Sequence, residues 1–110
     1  MDAVRIVPRY ALDVSAVATK TTLFGREYAA PVGVAPMGNI GMIWPRADAI
    51  LAAAAQAARI PYCSSTVANV GMEELAKIAP DSFWFQLYGL PADNHRISVD
   101  LIQRAEAVGA

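Results

Sequence analysis

The sequence predicts an α/β protein in which short buried strands alternate with helices. Three apolar segments are each followed by a segment with helical periodicity, within residues 30–59, 60–79 and 82–108. Alternation at about 25 residues per unit is typical of a parallel sheet with its helices outside. A doubly wound sheet and a (β/α) barrel both satisfy this pattern, and the pattern alone does not separate them.

Composition limits the chain to at most one domain and excludes several functions. Its 110 residues are 55% hydrophobic and 17% charged, with a formal net charge of −1. Nine Lys and Arg are scattered without a basic run, so we expect no nucleic-acid partner. The single Cys63 excludes an internal disulfide and a cysteine-rich metal site. We expect a cytoplasmic protein, because the sequence shows neither a signal-peptide pattern nor a membrane-spanning run.

Residues 1–30 are predicted to form an extended lead-in followed by a β-hairpin. Met1–Tyr10 has little pattern, and Leu12–Ser15 is predicted to be extended. A turn at Phe24–Glu27 separates two short strands, so Thr19–Ala30 is predicted as the hairpin.

The stretch Ala30–Gly38 is predicted as a buried strand that ends in a sharp loop. It contains only apolar or small residues and closes with Pro36, Met37 and Gly38. In parallel α/β folds, ligands bind beyond the carboxyl ends of the strands. Because Gly38 has no side chain, a flat ligand could approach the main chain of this loop closely.

Helical periodicity follows each strand. The first helix is predicted over Arg46–Arg59, the second from near Gly71 to the residue before Pro80, and the third over Asn94–Val108. Gly109 is predicted to end the third helix as a C-cap glycine. The predicted inner faces are, in chain order, Ala47, Ile50, Leu51, Ala54, Ala57 and Ala58, then Met72, Leu75, Ala76 and Ala79, then Ile97, Leu101, Ala105 and Val108.

The second and third strands, Ile60–Ser65 and Ser82–Tyr88, both end in polar side chains. Ser64 either caps a strand end or contacts a ligand. Gln86 needs partners, because a buried amide without them costs about 1–3 kcal/mol. Tyr88 is equally consistent with an aromatic filler and with a functional hydroxyl group.

The run from Val14 to Ala110 resembles the FMN-dependent α-hydroxy-acid dehydrogenase and oxidase family, which includes glycolate oxidase, lactate dehydrogenase and mandelate dehydrogenase. The resemblance rests on LDVSAVATKTTLFG, PVGVAPMG, CSSTVANVGMEELA, FWFQLYG and LIQRAEAVGA, in the family's order and spacing. It implies a partial TIM (β/α)8 barrel, in which residues 31–110 are the first three βα units of an incomplete domain. FMN would lie across the C-terminal mouth of this barrel.

The resemblance also implies roles for individual residues. Pro36, Met37 and Gly38 would place their main chain against the flavin ring, while Ser64 and Gln86 would hydrogen-bond the ring. Tyr88 would bind the substrate carboxylate and help to stabilise the transition state.

The catalytic histidine and substrate-binding arginine of the family would follow Ala110, so this chain alone is expected to be inactive and to hold FMN weakly. The parent would oxidise a small 2-hydroxy acid, pass electrons to oxygen, quinone or another acceptor, and form a homo-oligomer. Family members often carry a tryptophan near the substrate, two residues after the matched serine. This chain has Thr66 there, so the substrate preference stays open.

The sequence leaves two alternatives to this family. Another FMN barrel, such as one resembling type 2 isopentenyl-diphosphate isomerase, also has an APM sequence in its first loop, although the FQLYG strand favours the hydroxy-acid family. The other alternative is a non-catalytic, self-associating βα module.

Overall fold

Within residues 5–110, the regular structure consists of four short strands and three helices, with two 3-10 turns. The structure, a computed structural model, describes residues 5–110, so residues 1–4 of the predicted lead-in lie outside the described residues. In chain order the elements are β1 (Thr21–Leu23), β2 (Arg26–Tyr28), a 3-10 turn (Ile40–Met42), α1 (Ala47–Ala58), β3 (Tyr62–Ser65), α2 (Met72–Ile78), β4 (Phe83–Gln86), a second 3-10 turn (Ala92–His95) and α3 (Arg96–Ala107). The predicted extended segment Leu12–Ser15 forms no strand.

The predicted hairpin is confirmed as the antiparallel pair of β1 and β2. Phe24 and Gly25 both have positive φ, at 49° and 79°, as the tight turn between right-twisted strands requires. The hairpin docks onto the main sheet through Tyr28, which is buried and accepts a 2.9 Å hydrogen bond from the Trp84 indole N–H.

The main sheet is parallel, as predicted, but its first strand is shorter than predicted. β3 and β4 pair in parallel, and Val34 joins the other side of β3 through a single bridge to Tyr62. The Val34 N–H donates to the Pro61 carbonyl at 2.8 Å. The prediction of a buried strand over Ala30–Gly38 is therefore wrong, and Val32 is 62% exposed. Prolines at both ends of the segment cannot donate to a ladder, which confines the pairing to its middle.

The buried face of α1 differs from the predicted face. Ala49, Ala52 and Ala55 pack into the core together with the buried Asp48, whereas Ile50 is 53% exposed. Of the six predicted positions, Ala47 is buried, Leu51 is partly buried, and Ile50, Ala54, Ala57 and Ala58 are exposed. Alanine lies all around this helix, so apolar spacing could not select the face that contacts the sheet.

The inner face of α2 matches the prediction at all four positions, Met72, Leu75, Ala76 and Ala79. These side chains form the centre of the core with Tyr62 and Phe83. The sheet and the helices α1 and α2 therefore enclose a core made mainly of small residues and a few large ones, which brings the helices close to the strands.

The third helix is confirmed, although it begins at Arg96 after a 3-10 turn. Leu101, Ala105 and Val108 pack partly against the core, but Ile97 is 44% exposed, so the predicted stripe is correct only in its C-terminal part. Gly109 ends the helix with φ of 77°, and the Ala110 N–H donates to the Ala105 carbonyl at 3.0 Å, as in a Schellman motif. Within residues 5–110, none of the helices has the length and apolar character needed to cross a bilayer.

Candidate functional site

The predicted site residues gather at the C-terminal edge of the parallel sheet. Pro36, Met37 and Gly38 follow the bridge at Val34, Ser64 lies in β3, Gln86 ends β4, and Tyr88 follows it. The strands are parallel, so their carboxyl ends meet at one edge, which is where α/β proteins bind ligands.

The strand register separates the two adjacent serines of β3. Ser64 is opposite Phe85, and Ser65 is opposite Gln86. Since side chains alternate along a strand, Ser64 lies on the same face as Tyr62, which belongs to the core beneath the helices. Both serines are buried, Ser64 at 1% and Ser65 at 3% exposure, so the sheet face and not burial distinguishes them. The structure therefore does not bring Ser64 and Gln86 to one face of the sheet.

Ser65 is the serine that shares a sheet face with Gln86, and it was missed in the sequence analysis. Its hydroxyl oxygen accepts a hydrogen bond from the Val67 N–H at 3.3 Å. Of two consecutive serines in a strand, one lies on each face of the sheet. The pairing of β3 with β4 is needed to decide which serine lies on the face of Gln86.

The loop after the first strand packs closely against the loop after β3. A Cβ atom added to Gly38 would lie 2.6 Å from Cγ2 of Val67, so any larger residue at position 38 would force the Val67 side chain or one of the two loops to move. The Asn39 N–H donates to the Val67 carbonyl at 3.0 Å. In the described part of the chain, the N–H groups of Met37 and Gly38 donate to no protein acceptor, so both are available to a ligand.

Asn69 links the loop after the first strand to the loop after β3 through hydrogen bonds, a role that was not predicted. Its Oδ1 atom accepts from the Gly41 N–H at 2.8 Å, and its own N–H donates to Oδ2 of Asp48 at 3.3 Å. Asp48 is 1% exposed and lies in the first turn of α1. Gly41, Asn69 and Asp48 thus connect the loop that follows Gly38 to the core. An aspartate inside a mostly apolar helix was the signal in the sequence, because a buried carboxylate needs a partner.

Gln86 and Tyr88 present polar groups at the end of β4. Gln86 is partly buried, and its side-chain amide makes no hydrogen bond within residues 5–110. Tyr88 is partly exposed, and its N–H is held by Thr66. An unpaired amide can both donate and accept, as the alternating polar atoms at the edge of a flavin ring require. The residues present therefore fit FMN.

Cys63 lies on the same sheet face as Ser65 and Trp84 but has no sign of reactivity. It is partly buried, and burial raises the pKa of its thiol above the usual value. At neutral pH the protonated form predominates, as expected for a cysteine that serves as a small packing residue. In the part of the chain that the structure describes, no three His, Cys, Asp or Glu side chains come together to hold a metal ion.

Cavities lie on either side of the sheet in residues 5–110, and one of them reaches the predicted site. A cavity of about 440 Å³ runs along the free edge of β4, between Trp84 and Ile102. In a barrel this edge pairs with the next strand, so we assign no ligand there. The other cavity, of about 360 Å³, lies on the face of Cys63 and Trp84 and extends to Pro36.

The geometry is that of an α/β protein with available N–H donors and a side-chain amide at the carboxyl ends of parallel strands, where α/β proteins bind ligands. A family model described as FMN-dependent dehydrogenase matches residues 1–110. The chain belongs to this FMN-dependent dehydrogenase family.

The chain is similar to several 2-hydroxy acid oxidases. It is 43% identical over 107 residues to 2-hydroxyacid oxidase 2 of Homo sapiens, covering 96% of this chain and 30% of that protein. It is 40% identical over 105 residues to L-lactate oxidase of Lysinibacillus sphaericus (strain C3-41), covering 94% of this chain and 27% of that protein. The chain thus spans about 30% of the length of these relatives or slightly less.

Solved structures show the same similarity. Mandelate oxidase with (S)-4-hydroxymandelic acid aligns with a TM-score of 0.83 and 38% identity, covering 96% of this chain and 29% of that chain. A mandelate oxidase variant with an FMN adduct aligns with a TM-score of 0.83 and 35% identity, covering 96% of this chain and 31% of that chain. These neighbours are FMN-dependent oxidases of the TIM-barrel type. The predicted family and its cofactor FMN are confirmed.

Proposed function

We propose that this chain forms one side of the flavin site in an enzyme that oxidises a small 2-hydroxy acid to the 2-oxo acid. The observation that carries the proposal is the convergence of Gly38, Ser65 and Gln86 at the C-terminal edge of one parallel sheet. In this proposal residues 1–30 are the lead-in and hairpin, and residues 31–110 are the first three βα units of the barrel.

The proposed flavin contacts come from the loop after the first strand and from the ends of β3 and β4. The main chain at Pro36, Met37 and Gly38 lies against the ring, with the free N–H groups of Met37 and Gly38 as donors. The Gln86 amide binds the polar edge of the ring. We assign the serine contact to Ser65 in place of the predicted Ser64, because Ser65 shares the sheet face of Gln86.

The proposed substrate contact is the Tyr88 hydroxyl, which donates to the carboxylate of the 2-hydroxy acid. Tyr88 is two residues beyond Gln86, so an extended chain directs both side chains to the same side. Oxidation removes the hydroxyl proton and, from the α-carbon, a hydrogen with its electron pair, and bound FMN would take up this hydride equivalent. Residues beyond Ala110 supply the base that takes the hydroxyl proton. His95, the histidine of this chain, is exposed on a turn and has no part in the step.

The proposal is tested by flavin reduction in the full-length, FMN-loaded protein that contains this chain. Under anaerobic conditions, L-lactate, glycolate and mandelate are mixed with the protein in turn, and bleaching of the flavin absorbance is followed. We expect at least one acid to reduce the flavin, and we expect Tyr88→Phe to slow that reduction more than it lowers flavin content. Tyr10→Phe is the matched control, because Tyr10 is exposed and far from the sheet edge in sequence.

Equal losses of reduction rate and flavin content in Tyr88→Phe would mean that Tyr88 is structural. Failure of every 2-hydroxy acid to reduce the bound flavin would overturn the proposed function.

A further inference from the structure

Thr66 connects the ends of β3 and β4 through its side chain. Its hydroxyl donates to the Gln86 carbonyl at 2.6 Å and accepts from the Tyr88 N–H at 3.0 Å. The side chain is partly buried between the two strand ends. One hydroxyl therefore holds two main-chain groups on either side of Leu87.

This connection begins where the backbone ladder stops. The last register pair of the two strands is Ser65 and Gln86, and Thr66 is the next residue of the chain. The hydroxyl extends the link between the strands by one residue, with a side chain in place of a backbone group. Gln86 is already held by its pairing with Ser65, so the hydroxyl mainly sets the main-chain direction from Gln86 to Tyr88 and thereby aims the Tyr88 side chain.

We propose that Thr66 is a positioning residue for oxidation of the 2-hydroxy acid: its hydroxyl, anchored on the Gln86 carbonyl, acts through the backbone of Tyr88. This inference rests on the proposed function, in which Gln86 binds the flavin and Tyr88 binds the substrate. Thr66 itself contacts neither ligand in this scheme. The Thr66 hydroxyl keeps Tyr88 in a fixed position relative to the flavin ring.

The test uses Thr66→Val, which keeps the shape of the side chain and removes the hydroxyl, in the full-length FMN-loaded protein. Loss of a hydrogen bond to a catalytic segment is expected to lower kcat/KM for the best 2-hydroxy acid by about tenfold. Flavin content should stay at the level of the unmodified protein. Thr66→Ser retains the hydroxyl and should retain most of the activity. Thr22→Val, on the exposed side of β1, is the matched control.

A double-mutant cycle separates positioning from general destabilisation. If Thr66 acts through Tyr88, then Thr66→Val in a Tyr88→Phe background should change kcat/KM by less than about twofold, because coupled residues are not additive. Thr66→Ala is measured in the same cycle, so that the test does not depend on the folding of one variant. Additive effects, or equal activity losses in Thr66→Ser and Thr66→Val, would overturn the positioning role.

The outcomes also distinguish this inference from the proposed function. Flavin reduction by a 2-hydroxy acid that is unaffected by Thr66→Val would overturn the role of Thr66 alone. A parallel fall of flavin content and activity in Thr66→Val would also overturn it, since that result indicates a purely structural residue. Absence of reduction by any 2-hydroxy acid in the unmodified protein would overturn both.

Discussion

Ser65 and Gln86 form the last register pair of two parallel strands, and their side chains leave the sheet on the same face. The neighbouring Ser64 points the opposite way, toward the layer that contains Tyr62 and Phe83. One residue of register therefore decides which of two identical side chains shares the sheet face of Gln86.

The first prediction compares the two serines. In the full-length apoprotein, Ser65→Ala should weaken FMN binding by up to about tenfold, the range expected for one lost hydrogen bond. Ser64→Ala should leave FMN affinity nearly unchanged. Titration followed by flavin fluorescence measures both dissociation constants. A larger effect of Ser64→Ala than of Ser65→Ala would return the flavin contact to Ser64.

The second prediction concerns the contact between Gly38 and Val67. A Cβ atom at position 38 would lie 2.6 Å from Cγ2 of Val67, so Gly38→Ala should displace one of the two loops and reduce FMN affinity. The double variant Gly38→Ala/Val67→Ala removes the clash and should recover most of that affinity. Failure of the double variant to recover it would show that Gly38 matters for another reason, such as direct approach of the ring.

The third prediction concerns Asn69, which fastens the loop at Gly41 to Asp48. Asn69→Ala leaves the Gly41 N–H without its acceptor and should increase hydrogen exchange across residues 38–44, as expected for a less stable local unit. FMN affinity should fall as well, because that loop carries the ring contacts. Gln103→Ala, an amide removed from an exposed position of α3, is the control. Unchanged exchange across residues 38–44 in Asn69→Ala would contradict the fastening role.

The fourth prediction is a loss of stability at alkaline pH that depends on Tyr62. Burial raises the pKa of Tyr62 to about 12, and the negative charges of Asp48 and Cys63 add to the effect. An unfolded tyrosine ionises near a pKa of about 10. The raised pKa therefore stabilises the folded state fully below a pH of about 10. This stabilisation is lost as the pH rises through the pKa of Tyr62 in the folded state.

Thermal unfolding of the full-length protein between pH 9 and the folded pKa of about 12 measures this effect. Tyr62→Phe removes the ionisable group, so its melting temperature should fall less steeply across that interval than that of the unmodified protein. Tyr10→Phe, at an exposed position, should not change the slope. Parallel slopes for Tyr62→Phe and the unmodified protein would contradict the prediction.

The sequence predicted the order of the elements well, because each signal is local. The turn at Phe24–Gly25, the inner face of α2 and the glycine after α3 all follow from short-range patterns. The buried face of α1 could not be predicted in this way. Its apolar positions are almost all alanines, so only contact with the sheet distinguishes one side of the helix from another.

The candidate site was predicted only in part, because two of its features depend on long-range pairing. The choice between Ser64 and Ser65 requires the register with β4, which the sequence of β3 does not contain. The hydrogen bonds of Asn69 and Thr66 join segments 20 to 28 residues apart in sequence. Strand ends and the Pro36–Gly38 loop, in contrast, could be located from their polar and glycine residues.

A structure of the full-length protein with FMN bound tests the central claim most directly. We expect polar atoms of the flavin ring within about 3.2 Å of both the Ser65 hydroxyl and the Gln86 amide, the usual range of hydrogen bonds, with the ring against the main chain of Met37 and Gly38. A ring that lies beyond hydrogen-bonding distance of both side chains, or that contacts Ser64 instead, would contradict the account.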